Sequence, residues 1–179
     1  MPSLLAMDFL LIAASAWLAV GLSGLAAPRN TRFIAKVLFP LGALIGLAVG
    51  VTSLGYLGQS AETAVLAIGL PTLPFHLRLD NLAAVFALLL GFASFGISIY
   101  AAGYFRKGEG TAPGLLCLEY HVFLASMLMV LLADDAYAFM VAWEVMALSS
   151  FFLVTTDHRH EAIRSAGYLY LLIAHVGAI

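Results

Sequence analysis

The stretch Ala136-Tyr137-Ala138-Phe139-Met140-Val141-Ala142-Trp143-Glu144-Val145-Met146-Ala147-Leu148-Ser149-Ser150-Phe151-Phe152-Leu153-Val154-Thr155 carries a single charged side chain, Glu144. A helix crosses the hydrocarbon core of a bilayer with about 20 mostly apolar residues, each rising about 1.5 Å. The stretch therefore reads as a transmembrane helix. Counted from Ala136, Glu144 lies about 12 Å deep, near the midplane.

The same reading extends outward along the chain. Leu4–Ala27, Val37–Leu57, Leu82–Tyr104 and Leu115–Ala133 are also apolar enough and long enough to cross. A sixth apolar run begins near Ala162 and continues to Ile179, but the part after Ala166 is too short to cross. It reads as a helix cut through, or as a short re-entrant segment. The expected fold class is an all-α, polytopic membrane helix bundle: five full spans plus a truncated sixth. Residues 1–179 are expected to form a single membrane domain, the N-terminal part of a longer subunit.

Composition agrees. Of the 179 residues, 63% are apolar and 10% charged, with mean hydropathy +1.03. Soluble domains carry about 25% charged residues. A water-soluble globule, a nucleic-acid binder and a disordered chain are excluded. The formal net charge of −2 gives no field for a polyanionic partner. Cys117 stands alone, so no internal disulfide can form.

Seven of the eight Lys and Arg residues fall in odd-numbered loops: Arg29, Arg32 and Lys36 in the first, Arg106 and Lys107 in the third, Arg159 and Arg164 in the fifth. Only Arg78 lies in the second. Basic loops stay cytoplasmic, which places the N-terminus outside. The first span is not expected to be a cleaved leader, since it lacks a basic start, is too long, and has Asp8 as its first charge. In the second loop, Phe75, Leu77 and Leu79 alternate with His76, Arg78 and Asp80. That period of two marks a short extended element punctuated by Pro71 and Pro74, either a hairpin arm or an irregular interfacial loop. Asp80-Asn81 is placed to cap the third span.

Ionisable groups inside spans carry the functional argument, because burying a charge in lipid is costly. A carboxylate at the depth of Glu144 needs a proton or a cationic partner. It can serve a proton relay, or act as neutral hydrogen-bonding glue between helices. His175 lies about 14 Å beyond Ala166. The fifth span descends and the sixth ascends, so His175 should reach the depth of Glu144, and an imidazole can both accept and donate a proton there. Glu119 and His121 lie about 6–9 Å into the fourth span and point to different faces. They can feed protons inward, or snorkel and pack. Asp8 reads as an ordinary end-of-helix residue. The loop Asp157-His158-Arg159-His160-Glu161 has two closely spaced histidines, but Arg159 and Arg164 would repel a metal cation, and Asp157 is the expected cap of the last helix. No metal, cofactor or catalytic nucleophile is expected.

Several of these runs occur together in a known family. Phe123-Leu124-Ala125-Ser126-Met127-Leu128-Met129-Val130 leads to Ala133-Asp134-Asp135-Ala136, then Trp143-Glu144 and Ala147-Leu148-Ser149-Ser150-Phe151. Leu79-Asp80-Asn81-Leu82 and Tyr100-Ala101-Ala102-Gly103-Tyr104 precede them. The pattern resembles the antiporter-like proton-translocating subunits shared by respiratory complex I, multi-subunit cation/proton antiporters and membrane-bound hydrogenases. Ala166-Gly167-Tyr168-Leu169-Tyr170 followed by Ala174-His175-Val176-Gly177 looks most like the hydrogenase-4 component B and formate hydrogenlyase subunit 3 branch. The resemblance implies a larger bundle with inverted repeats, in which Glu144 belongs to a proton pathway and pairs with a lysine on a later span. It also implies a subunit with no redox cofactor of its own. Its partners would be other membrane subunits and redox-active hydrogenase subunits, in a bacterial or archaeal cell membrane.

Overall fold

The computed structural model describes residues 5–70, 72–104 and 111–177. The basic residues Arg106 and Lys107, Pro71 and the last residue, Ile179, lie outside the described residues. Helix α1 spans Ala6–Gly24, α2 Thr31–Tyr56, α3 Asn81–Tyr104, α4 Pro113–Leu132, α5 Ala136–Val154 and α6 Glu161–Val176. Helices α1 to α5 are each long and apolar enough to cross a membrane, and α6 is shorter, at 16 residues. The chain is a multi-pass membrane protein, and its described residues are mostly helical, with one small two-stranded sheet among them. Large apolar side chains such as Leu44, Leu82, Leu89 and Ile97 stand exposed around the bundle. In water that would be a fault; facing lipid it is the expected surface.

Helix ends follow local chemistry. Asp8 accepts the Leu5 N–H in the first turn of α1 (3.2 Å). Asn30 accepts the Phe33 N–H (3.2 Å) and starts α2 at Thr31 rather than Val37. Arg32 and Lys36, expected in the first loop, therefore ride on the opening turns of α2, where long basic side chains can reach the interface. The next turn, Ile34–Leu38, is a π-helix, with the Phe39 N–H bonded to the Ile34 carbonyl. Pro40, which cannot donate an N–H and crowds the preceding turn, follows directly. Asp80 accepts the Ala83 N–H (2.9 Å) and caps α3, as expected.

The second loop is an antiparallel hairpin, β1 (Glu62–Leu70) and β2 (Leu73–Leu79), pairing from Glu62↔Leu79 to Leu70↔Leu73 with a slip between Leu66 and Gly69. Gly69 has φ +115°, a conformation side chains resist. Phe75, Leu77 and Leu79 bury, as their alternation predicts. The hairpin straps one end of the bundle. The Glu62 carboxylate accepts the Met7 N–H (2.8 Å), and Gly58 donates to Asn81 (2.7 Å). The Tyr56 hydroxyl sits between the carbonyls of Ser60 (2.6 Å) and Leu79 (2.8 Å). In the α4–α5 turn, the Asp134 N–H donates to the His76 carbonyl (2.9 Å).

Helices α1 to α4 and the hairpin share one core around Trp17, Phe39, Leu10, Leu77 and Leu128. Glycines let backbones touch there. A Cβ on Gly91 would strike the Gly46 and Gly50 backbone of α2, and one on Gly114 would strike Gly24 of α1. Small residues at helix contacts are how membrane helices gain dispersion energy without a hydrophobic driving force.

Candidate functional site

The site is built by α5 and α6, which run antiparallel and meet at three levels. At the turn between them, Gly167 lets Thr155 and Phe151 close on α6. One to two turns further in, the hydroxyls of Ser150 and Tyr170 are 2.7 Å apart. Ser150 donates to the Ala147 carbonyl (2.9 Å), so Tyr170 is the donor between them. Deeper still, Glu144 Oε2 lies 2.9 Å from His175 Nε2.

The proton count of that pair follows from its geometry. His175 Nδ1 lies 2.9 Å from the Leu171 carbonyl, which can only accept, so Nδ1 carries a hydrogen. Nε2 and the carboxyl oxygen then need one proton between them. Either neutral Glu144 donates to Nε2, or the imidazolium donates to the carboxylate. With no shared proton, two lone pairs would face each other. The side chains remain 38% (Glu144) and 42% (His175) exposed, so one edge of the pair is open to a further donor or acceptor.

Glu119 and His121 sit elsewhere, and no hydrogen bond or ion pair joins either to Glu144 or His175 among the described residues. Glu119 is half-buried on α4, with Oε2 enclosed and unpartnered. His121 is fully buried. Its Nδ1 donates to the Cys117 carbonyl (2.7 Å), its ring packs against Phe39 and Tyr120, and Nε2 abuts Gly42 without a partner. The two residues do point to different faces, with His121 turned to α1 and α2.

Sequence reading missed Ser150 and Tyr170 as partners. The signal was there: each is a hydrogen-bonding side chain in an apolar span, displaced from Glu144 and His175 by a similar number of residues. It also passed over the Trp143 indole, half-buried with an enclosed, unpartnered N–H beside Glu144 and stacked on Phe139 at 5.6 Å. The Asp157 cap is corrected. His160 is the N-cap residue of α6, and Asp157 instead meets His160 Nε2 at 3.3 Å. Arg164 folds back onto the carbonyls of His158 and Arg159 (2.8 and 3.1 Å), which tightens the loop and moves Asp157 away from the first helical turn. Among the described residues no group of three His, Cys, Asp or Glu is placed to hold a metal.

Sequence comparison gives this arrangement its setting. No family model matches. The chain is 33% identical over 137 residues to an uncharacterized protein of Mycobacterium tuberculosis, covering 75% of this chain and 21% of that one. It is 30% identical over 149 residues to hydrogenase-4 component B of Escherichia coli, covering 80% of this chain and 22% of that protein. A putative antiporter subunit of Staphylococcus aureus is 33% identical over 79 residues, 44% of this chain and 10% of that protein. The chain thus spans about a fifth of the length of the first two relatives. The relatives include a hydrogenase component, antiporter subunits and a dehydrogenase subunit. The matched segment is thus similar to part of hydrogenase, antiporter and dehydrogenase subunits.

Proposed function

We propose that this chain serves proton translocation as part of a hydrogenase-type membrane subunit, with Glu144 and His175 as the proton-carrying pair. The observation that carries the reading is the 2.9 Å contact between two side chains that need one proton between them. Passing that proton from Oε2 to Nε2 and onward moves charge along the pair without moving a helix. Redox partner subunits would drive the cycle by changing the electrostatics around Glu144. The hydrogenase branch is favoured by the 80% coverage of this chain in the match to hydrogenase-4 component B. The match to an antiporter subunit favours a second reading, a cation/proton antiporter, in which the same pair would exchange H⁺ against another cation.

The N-terminus lies outside in this reading. Supporting it, the Gly114 N–H bonds the Pro28 carbonyl and the Thr111 N–H the Thr156 carbonyl, which gathers Arg29, Arg159 and Arg164 at the end opposite the hairpin. Glu119, toward that basic end, would feed the pair from the cytoplasm. His121 joins the pathway only through a shift of α2 away from its Nε2.

The test is Glu144→Gln and His175→Gln in the full-length subunit within its assembled complex, reconstituted in vesicles. At position 144 glutamine keeps the size of the carboxyl group and can still hydrogen-bond, but it cannot take up or release a proton. The expected result is a loss of proton pumping of about 100-fold or more for Glu144→Gln, at the scale of removing a proton-transfer group, with the complex still assembled. Unchanged pumping in an assembled Glu144→Gln complex would remove the pair from the mechanism. Isolation of the native complex with hydrogenase subunits, rather than antiporter subunits, separates the two readings.

A further inference from the structure

On the hairpin side a cavity of about 320 Å³ opens between β2, the head of α3 and the α4–α5 turn. Its rim is charged. Arg78, on the outward face of β2, is half exposed and approaches Asp80 only to 3.9 Å. Asp80 is already engaged through Oδ1 with the Ala83 N–H. Asp134 lines the same cavity, and its carboxylate has no partner among the described residues. Its neighbour Asp135 meets the His76 imidazole of the same strand face at 3.3 Å. Arg78 and Asp134 thus share a cavity without pairing.

The floor is different. Leu82, Phe86, Leu131 and Phe139 line it, all within two turns of the helix ends on this side, and Leu82 and Phe86 are 68% and 48% exposed. One guanidinium and two carboxylates therefore stand where lipid-facing surface meets the aqueous boundary. That pattern is the complement of a zwitterion. A guanidinium binds phosphate oxygens through parallel N–H groups, and carboxylates accept N–H donors from an ammonium. The net charge of the rim disfavours an anionic headgroup, and a quaternary ammonium has no N–H to give.

We propose that this cavity binds phosphatidylethanolamine from the leaflet on the hairpin side. The phosphate sits on Arg78, the primary ammonium on Asp134 and Asp80, and the acyl chains along Leu82, Phe86, Leu131 and Phe139. A seated lipid would brace β2 against the α4–α5 turn at the entrance to α5.

The test uses the full-length subunit in detergent, offered equal amounts of phosphatidylethanolamine, phosphatidylcholine and phosphatidylglycerol, with retained lipid read by native mass spectrometry. The expected result is retention of phosphatidylethanolamine about fivefold above each of the others, the scale of one partly exposed charge contact. Arg78→Gln lowers retention of both zwitterionic lipids. Asp134→Asn brings phosphatidylethanolamine down to the level of phosphatidylcholine and raises phosphatidylglycerol. Both side chains are at the surface, so the variants keep the fold. A photoreactive phosphatidylethanolamine should label peptides containing residues 78–86 and 130–139. Equal retention of the three lipids, an unchanged preference in both variants, or labelling only at other peptides would overturn the proposal.

Discussion

Helices α2 and α3 meet backbone to backbone, with Gly91 set against Gly46 and Gly50. Helices α5 and α6 meet through side chains instead: Ser150 with Tyr170, Glu144 with His175. The first contact excludes everything but a hydrogen atom at position 91. The second leaves polar atoms facing one another with an open edge. Close packing transmits strain and admits no water, whereas a proton relay needs donors and acceptors that can exchange partners. In the proposed mechanism these demands fall on separate helix pairs. Only Gly167 of α6 is fully buried, while α3 buries residues along its whole length.

The comparison breaks most readily at Gly91. Gly91→Ala places a methyl group into the backbone of Gly50, where no rotamer change can relieve it. We expect a loss of about 2–3 kcal/mol, the scale of overpacking in a rigid core, even though alanine is the better helix former. Thermal unfolding of the full-length subunit in detergent measures it. A loss below about 0.5 kcal/mol would mean that α2 and α3 separate easily and that the scaffold is no stiffer than the α5–α6 pair.

The same comparison sharpens at Tyr170. Tyr170→Phe removes one interhelical hydrogen bond and nothing of the ring, leaving Ser150 still bonded to the Ala147 carbonyl. The expected cost is about 0.5–1 kcal/mol, typical of a hydrogen bond between membrane helices. Because this bond holds α6 in register between Gly167 and His175, proton pumping should fall by less than in Glu144→Gln. Pumping lost as fully as in Glu144→Gln would promote Tyr170 from a register bond to a member of the proton chain.

How much of this could be read beforehand differs between the two regions. The spans were legible because lipid forces apolar residues onto every face of a helix, a demand that local sequence carries by itself. The depth match of Glu144 and His175 was legible by counting residues along antiparallel helices. The strand β1 was not: Val65, Ile68 and Leu70 are exposed while Glu62 turns inward, so apolar residues fall on both faces and the period of two is lost. The start of α2 was misplaced because Arg32 and Lys36 look like loop residues, while Asn30 is the cap that decides. Helical arithmetic separated Glu119 from His121 but could not say which face meets which helix. That His121 closes on Gly42 depends on the crossing of α2 and α4, which no local pattern encodes.

The smallest expected effect concerns the turn that leads into α5. The Asp135 carboxylate accepts the Ala138 N–H (2.7 Å) and the His76 N–H (2.8 Å), and lies 3.3 Å from His76 Nδ1. These bonds, the Ala138 N–H first, hold its carboxyl below the ordinary value of 3.8, since each favours the charged form. A group depressed in the folded state adds stability that is complete above its unfolded value and disappears as pH falls through its folded one. Asp135→Asn should therefore melt slightly below wild type at neutral pH, and the gap should narrow once pH drops below about 4. Unfolding temperatures of both proteins between neutral pH and the acid limit of the detergent provide the measurement. A gap that stays constant with pH would show that the substitution costs packing rather than charge, and that the strap formed by β2 holds α5 through its backbone contacts alone.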